Sequence, residues 1–106
     1  MTEATLQRNI VNLLATTYGR RIQLENNAPT MTAKTGKADL TMTLDGKALA
    51  IEVKHPDLLD PEGALRADQV VWLKHFVEAG GAALVTNDPT LDEVRWFLEE
   101  VEHDME

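Results

Sequence analysis

The 106-residue chain reads as one mixed α/β domain, a central sheet flanked by helices. Three observations predict this. Asp45-Gly46 stands between two alternating runs, the signal of a two-residue β-hairpin. Ala82-Ala83-Leu84-Val85-Thr86 is a short apolar run of the kind that forms a strand buried on both faces. Three further segments space their apolar residues at helical intervals. In order these give helix, one or two strands, hairpin, helix, strand, helix, or α-β(β)-β-β-α-β-α.

Thr2 caps a first helix to about Thr17, with Leu6, Ile10, Leu13, Leu14 and Thr17 on its inner face and Gly19 ending it. Glu3 suits the positive end of that helix dipole; the alternative is that it reaches toward the hairpin as a further acid. A strand is expected over 20–24, then a loop over 25–29 and a second extended stretch over 30–35. With Asp45-Gly46 as the hairpin loop, Leu44 faces Lys47, Met42 faces Leu49 and Leu40 faces Ile51. On the other face Thr43 meets Ala48, Thr41 meets Ala50 and Asp39 meets Glu52.

The last pair is anomalous. Directly opposed side chains lie roughly 4.5–5.5 Å apart at Cβ, where like charges are destabilising. Two carboxylates there need a shared proton or a bound cation, and Lys54 projects from the same face as Glu52. The plain alternative is a solvated hairpin end with Lys54 as its neutraliser. The small Thr/Ala/Asp/Glu face lets a helix approach closely; covering by the first helix brings Glu3 to the pair.

His55-Pro56 ends the strand, and a helix is expected over 64–79, closed by Gly80-Gly81. Its apolar face holds Leu65, Trp72, Leu73, Phe76 and Val77, interrupted by Gln69, an inward amide that needs partners. Those partners are backbone groups or the hairpin site. Thr90 and Glu93 suggest a capping box for a last helix with an inner stripe of Leu91, Val94, Phe97, Leu98 and Val101. Trp96 lies off the stripe, and residues 102–106 read as a frayed tail.

The net charge of −8 argues against a generic nucleic-acid binder. Its distribution weakens the objection. Residues 88–106 hold eight acidic residues against one basic, while 1–87 are close to balance. Arg20, Arg21, Lys34, Lys37 and Lys54 remain as contacts for a polyanion, with scattered surface charge as the alternative for each. No cysteine is present to build a disulfide or thiolate metal site. No apolar run approaches a membrane span and the first residues lack signal-peptide character, so an intracellular, cytoplasmic protein without a membrane partner is expected.

Asp39, a hairpin, then Glu52-Val53-Lys54 resembles the PD-(D/E)xK nuclease signature. More closely, the chain is similar to small stand-alone VRR-NUC domains. The shared order is an acidic residue opening the first helix (Glu3, with Gln7 after it), Gly-x-x-Asp (Gly36 to Asp39), Glu-x-Lys (Glu52 to Lys54), a helical glutamine (Gln69), and a glycine-ended helix leading into a strand. Ala38 stands where the signature name has proline. The similarity runs from about Glu3 to Val101, in keeping with a single domain over 1–106.

The resemblance implies a restriction-endonuclease-like core and metal-dependent hydrolysis of DNA phosphodiesters. Asp39, Glu52 and the Val53 carbonyl would hold Mg²⁺ or Mn²⁺, with Glu3 as a further acid. Lys54 would position or help deprotonate water, or stabilise developing charge. Gln69 would orient these groups. It further implies a structure-specific endonuclease, a Holliday-junction-resolvase-like homodimer acting on branched DNA in a bacterial or phage-like setting. The alternatives are a flap or nicking nuclease without junction preference, a non-catalytic DNA- or protein-binding module, and a structural subunit.

Overall fold

The computed structural model describes residues 1–27 and 36–105; the stretch expected over 30–35, and Lys34 with it, lies outside them. The described elements are α1 (Glu3–Tyr18), β1 (Ile22–Asn26), β2 (Leu40–Leu44), β3 (Lys47–Val53), α2 (Ala67–Glu78), β4 (Ala82–Thr86) and α3 (Asp92–Asp104). Short 3₁₀ turns occupy Gly19–Arg21 and Glu62–Ala64. The four strands form one mixed sheet in the order β1-β2-β3-β4, antiparallel except for the last, parallel pair. No helix among the described residues is long and apolar enough to cross a membrane.

The hairpin register is the one expected, from Leu44↔Lys47 through Leu40↔Ile51. Asp45 and Gly46 both take positive φ, 50° and 86°, as the two central residues of a tight hairpin turn require. Alternation then sorts the hairpin into two unlike faces. Leu40, Met42, Leu44, Leu49, Ile51 and Val53 pack with Leu6, Ile10 and Leu14 of α1 and Val94, Phe97, Leu98 and Val101 of α3. On the opposite face Ala38, Ala50, Ala83 and Val85 meet Leu73, Trp72 and Phe76 of α2. The helix over the small-residue face is therefore α2 and not α1. The large aliphatic face matches the aliphatic stripes of two helices, and each side chain buried there is worth ~1.5–3 kcal/mol.

Several boundaries differ from expectation for local reasons. Tyr18, not Thr17, closes the inner face of α1. Residues 19–21 turn before β1 starts at Ile22, and Glu25 and Asn26 belong to that strand. The start of α3 is tied by Asp88 instead of a Thr90–Glu93 box. Asp88 accepts from Thr90 N, Thr90 Oγ1 and Glu93 N, while Glu93 accepts from Thr86 Oγ1 at 2.8 Å. Residues 102–104 are helical, not frayed, because Val101 buries against the core and Glu102 lies 3.6 Å from Arg21. β4 is half-buried on both faces through Ala82–Val85, yet it lies at the sheet edge among the described strands. Val77 is exposed and does not join the inner face of α2.

Gly36 fixes where α2 meets the sheet. Its φ is +88°, and a Cβ there would collide with the Asp68 carbonyl and stand 3.1 Å from Gln69 N. Both the backbone angle and the space demand glycine. Gly36→Ala is expected to destabilise the chain by about 3 kcal/mol, combining left-handed strain with overpacking against backbone. Urea denaturation checks this, and a loss within error of zero contradicts the close approach.

Candidate active site

Asp39 and Glu52 sit at the open end of the hairpin, opposite its turn. The regular ladder stops at Leu40↔Ile51, and beyond it the two carboxylates replace backbone acceptors. Glu52 Oε1 accepts from Asp39 N at 3.1 Å, and Asp39 Oδ2 accepts from Val53 N at 2.9 Å. Each acid thus takes a main-chain N–H of the opposite strand. Asp39 is held from its other side too. Asn27 N donates to the Asp39 carbonyl at 2.8 Å, and Asn27 Nδ2 bridges the Ala38 carbonyl and Thr41 Oγ1, both at 3.0 Å. Ala38, where the nuclease signature name carries proline, is buried against Ala50 and Leu73.

Gln69 completes the arrangement from α2. It is 6% exposed, and its Nε2 donates to Glu52 Oε2 at 2.7 Å. Its Oε1 accepts from Lys54 Nζ at 3.1 Å and from Arg66 N at 3.0 Å. The two roles read as alternatives from the sequence are filled together. One amide satisfies a free N–H at the start of α2 and joins the acid to the lysine. Lys54 Nζ also lies 3.3 Å from Glu52 Oε2, with both side chains largely buried.

This environment shifts Glu52. Burial, and after it the charge of Asp39, raise its pKa from 4.5 to about 6; the bond from Asp39 N and the Lys54 ammonium oppose the rise. A buried acid that stays ionised near neutrality, gripped by an amide and an ammonium, fits a functional site better than a surface ion pair. Its carboxylate oxygens are hard donors, and no sulfur or imidazole lies among their hydrogen-bond partners. Asp39 Oδ2 is committed to Val53, which leaves Oδ1 for another partner. Within a strand the N–H and C=O of one residue point to the same side, so the Val53 carbonyl faces Asp39 as its N–H does. Two carboxylates and a carbonyl suit a cation such as Mg²⁺, which keeps several waters.

The remaining candidates fall elsewhere. Glu3 is exposed at the start of α1, and among the described residues no three His, Asp or Glu side chains converge into a cation-binding group. α1 covers the aliphatic face of the sheet and not the Asp/Glu face, and its first turns line a cleft that Asp39 shares. Arg20 and Arg21 lie at the far end of the hairpin, where Arg21 pairs with Asp45. That turn is six residues from Asp39 along extended chain, roughly 20 Å. The Arg21 hydrogen bond holds the Asp45 carboxyl below its ordinary value, so this cation is engaged at the turn. Lys37 stays near the site and lies 3.7 Å from Glu25.

No family model and no curated protein matches the chain. The function therefore rests on the residues themselves.

Two contributors escaped the reading of the sequence. Asn27 looked like an ordinary loop asparagine, and only its two side-chain bonds show that it clamps the Asp39 turn. Arg8 went unremarked in the sequence, yet it lines a cleft that reaches Asp39.

Proposed function

We propose that the chain is a metal-dependent endonuclease that hydrolyses DNA phosphodiester bonds, with Asp39, Glu52, Lys54 and Gln69 as its working residues. The observation that carries this is the buried Glu52, bonded at once to the Asp39 backbone, Gln69 and Lys54. A surface salt bridge needs no such enclosure. The resemblance to VRR-NUC domains and their restriction-endonuclease-like core supports the same reading, as does the four-stranded mixed sheet with helices on both faces.

Asp39, Glu52 and the Val53 carbonyl would hold Mg²⁺ or Mn²⁺. The ion supplies Lewis acidity, lowering the pKa of a bound water and offsetting phosphate charge. The protein's own groups do the rest. The N–H of Val53 fixes the rotation of the Asp39 carboxylate, and the N–H of Asp39 does the same for Glu52. Lys54 places a positive charge beside Glu52, where it stabilises negative charge developing on the phosphate oxygens. Gln69 holds Lys54 and Glu52 in register.

The substrate class follows from the resemblance and from size: a branched DNA cut twice by a symmetric homodimer. Trp96, 60% exposed on α3, is available for a partner. Trp72 is stacked on Phe76 at 5.1 Å and is less so.

Cleavage of a labelled four-way junction, beside flap, linear duplex and single-stranded DNA, tests the reading with Mg²⁺, Mn²⁺ or EDTA. Metal-dependent paired cuts in the junction, lost in Asp39→Ala, are expected. Unpaired cuts in flaps or duplex keep the nuclease and remove the resolvase. No cleavage by any of these metals, with DNA still bound, identifies a binding module instead.

A further inference from the structure

A cleft of about 430 Å³ opens beside Asp39, between the first two turns of α1 and the end of β1. Gln7, Arg8, Asn26, Asn27 and Asp39 supply its polar wall, and Val11 part of its apolar one. Its lining has only Asp39 in common with the acid–lysine network, so it is a neighbouring compartment that meets the site at that carboxylate.

Its chemistry is specific in two respects. Gln7 Nε2 donates to Asn26 Oδ1 at 2.8 Å. That bond uses one donor and one acceptor, leaving the Gln7 oxygen as an acceptor and the Asn26 amide nitrogen as a donor on two residues of the same cleft wall. Turning both amides over exchanges the two ends and leaves the same pair, one donor and one acceptor. A neighbouring donor–acceptor pair is what the edge of a nucleobase offers in return. Arg8, one residue on, is exposed and forms no ion pair with the described residues. A guanidinium without a carboxylate partner, at the mouth of a polar cleft, suits a phosphate. The volume lies at the small end of the range for ligand pockets, which fits one nucleotide and not a duplex.

We infer that this cleft holds the nucleotide next to the scissile phosphate, its base edge on the Gln7–Asn26 amide pair and its phosphate on Arg8. Only the adjacency to a cleaved phosphate rests on the nuclease reading; nucleotide binding at the cleft does not. Asp39, shared by both compartments, places the held nucleotide against the acid pair. Asn27 positions both, since it forms part of the cleft wall and ties the Ala38 carbonyl to the Thr41 hydroxyl on either side of Asp39.

Titration of the ¹⁵N-labelled chain with tetrathymidylate, without divalent metal, tests this separately from catalysis. The largest amide shifts are expected at Gln7, Arg8, Asn26 and Asn27, and Arg8→Gln should weaken binding about tenfold. An abasic tetranucleotide of the same charge should bind clearly more weakly. Equal binding by the abasic chain removes the base-edge contact. Shifts centred on Arg21, or none at millimolar ligand, overturn the cleft itself. In cleavage assays the Arg8→Gln loss should fall on KM, and a loss in kcat alone counts against a binding role. Shifts at the cleft in a protein that cleaves no DNA would retain the nucleotide site and reject the nuclease.

Discussion

Lys54→Met is expected to abolish cleavage, by ~10³-fold or more, and to make the stability of the metal-free chain steeply pH-dependent. The second effect separates this lysine from a surface neutraliser. In the wild type, Glu52 titrates at about 6 in the fold against 4.5 for an ordinary glutamate. Its proton is bound more tightly folded than unfolded. That contribution to stability is therefore complete below pH 4.5 and is lost as pH rises through 6. Removing the ammonium 3.3 Å away removes one of the groups that oppose the rise. The folded pKa climbs further, and the loss between pH 5 and pH 8 grows. The variant should be close to the wild type at pH 5 and about 1–3 kcal/mol less stable at pH 8, the cost of a buried carboxylate short of its partner. Urea denaturation at the two pH values measures it. An equal deficit at both, or none at pH 8, means that the ammonium does not hold Glu52 ionised.

Asp39→Asn is expected to act in the opposite direction on the metal-free fold. The amide oxygen introduced at this position still accepts from Val53 N, so the turn survives, while the charge that repels Glu52 disappears. Stability at pH 8 should rise, by up to ~1 kcal/mol. Stabilisation by Mn²⁺ should vanish and cleavage fall by ~10³-fold, since one of two carboxylate ligands is gone. Calorimetry with and without Mn²⁺ reads all but the last. A wild type that shows no Mn²⁺ shift at all counts against a metal site. Glu52→Gln is not an equivalent variant, although both substitutions remove one charge of the pair. Glu52 accepts through both oxygens, from Asp39 N on one side and Gln69 Nε2 and Lys54 Nζ on the other. An amide must turn its NH₂ toward one of those donors, so this variant should lose stability.

The sequence carried the hairpin in full, because a two-residue Asp-Gly loop leaves no freedom in register once both strands alternate. The opposition of Asp39 and Glu52 followed from counting, and Gln69 betrayed itself as the polar residue on an apolar helical face. What could not be counted was which helix covers which face. Both faces of the hairpin are apolar enough to be covered. The choice was made by the β3-α2-β4 crossover, which puts its helix on one side of two adjacent parallel strands. Once α2 covers the small-residue face, α1 and α3 share the other. Asn27 and Arg8 were illegible for another reason. The partners of Asn27 lie 11 and 14 residues away, at Ala38 and Thr41, and Arg8 shares only a cleft wall with the distant Asp39, so no periodicity connects them. Asp88 displaced the Thr90–Glu93 box because the chain enters α3 through Leu91 at φ +67°, a turn invisible in the pattern.

Of the twelve residues of α2, only Gln69 and Leu73 are buried. The helix is the lightest-anchored of the three, and the residue that anchors it most polarly is the one bonded to Glu52. Stability in a folded chain is uneven, and segments with few buried contacts open far more often than the whole unfolds. When α2 lifts, Glu52 keeps the N–H of Asp39 and loses the amide of Gln69, and Lys54 is freed from its second partner in the same motion. The hairpin, zipped along its whole length and backed by two helices, stays closed beneath. Such an opening runs along the seam through the acids, and what it admits to Glu52 is solvent.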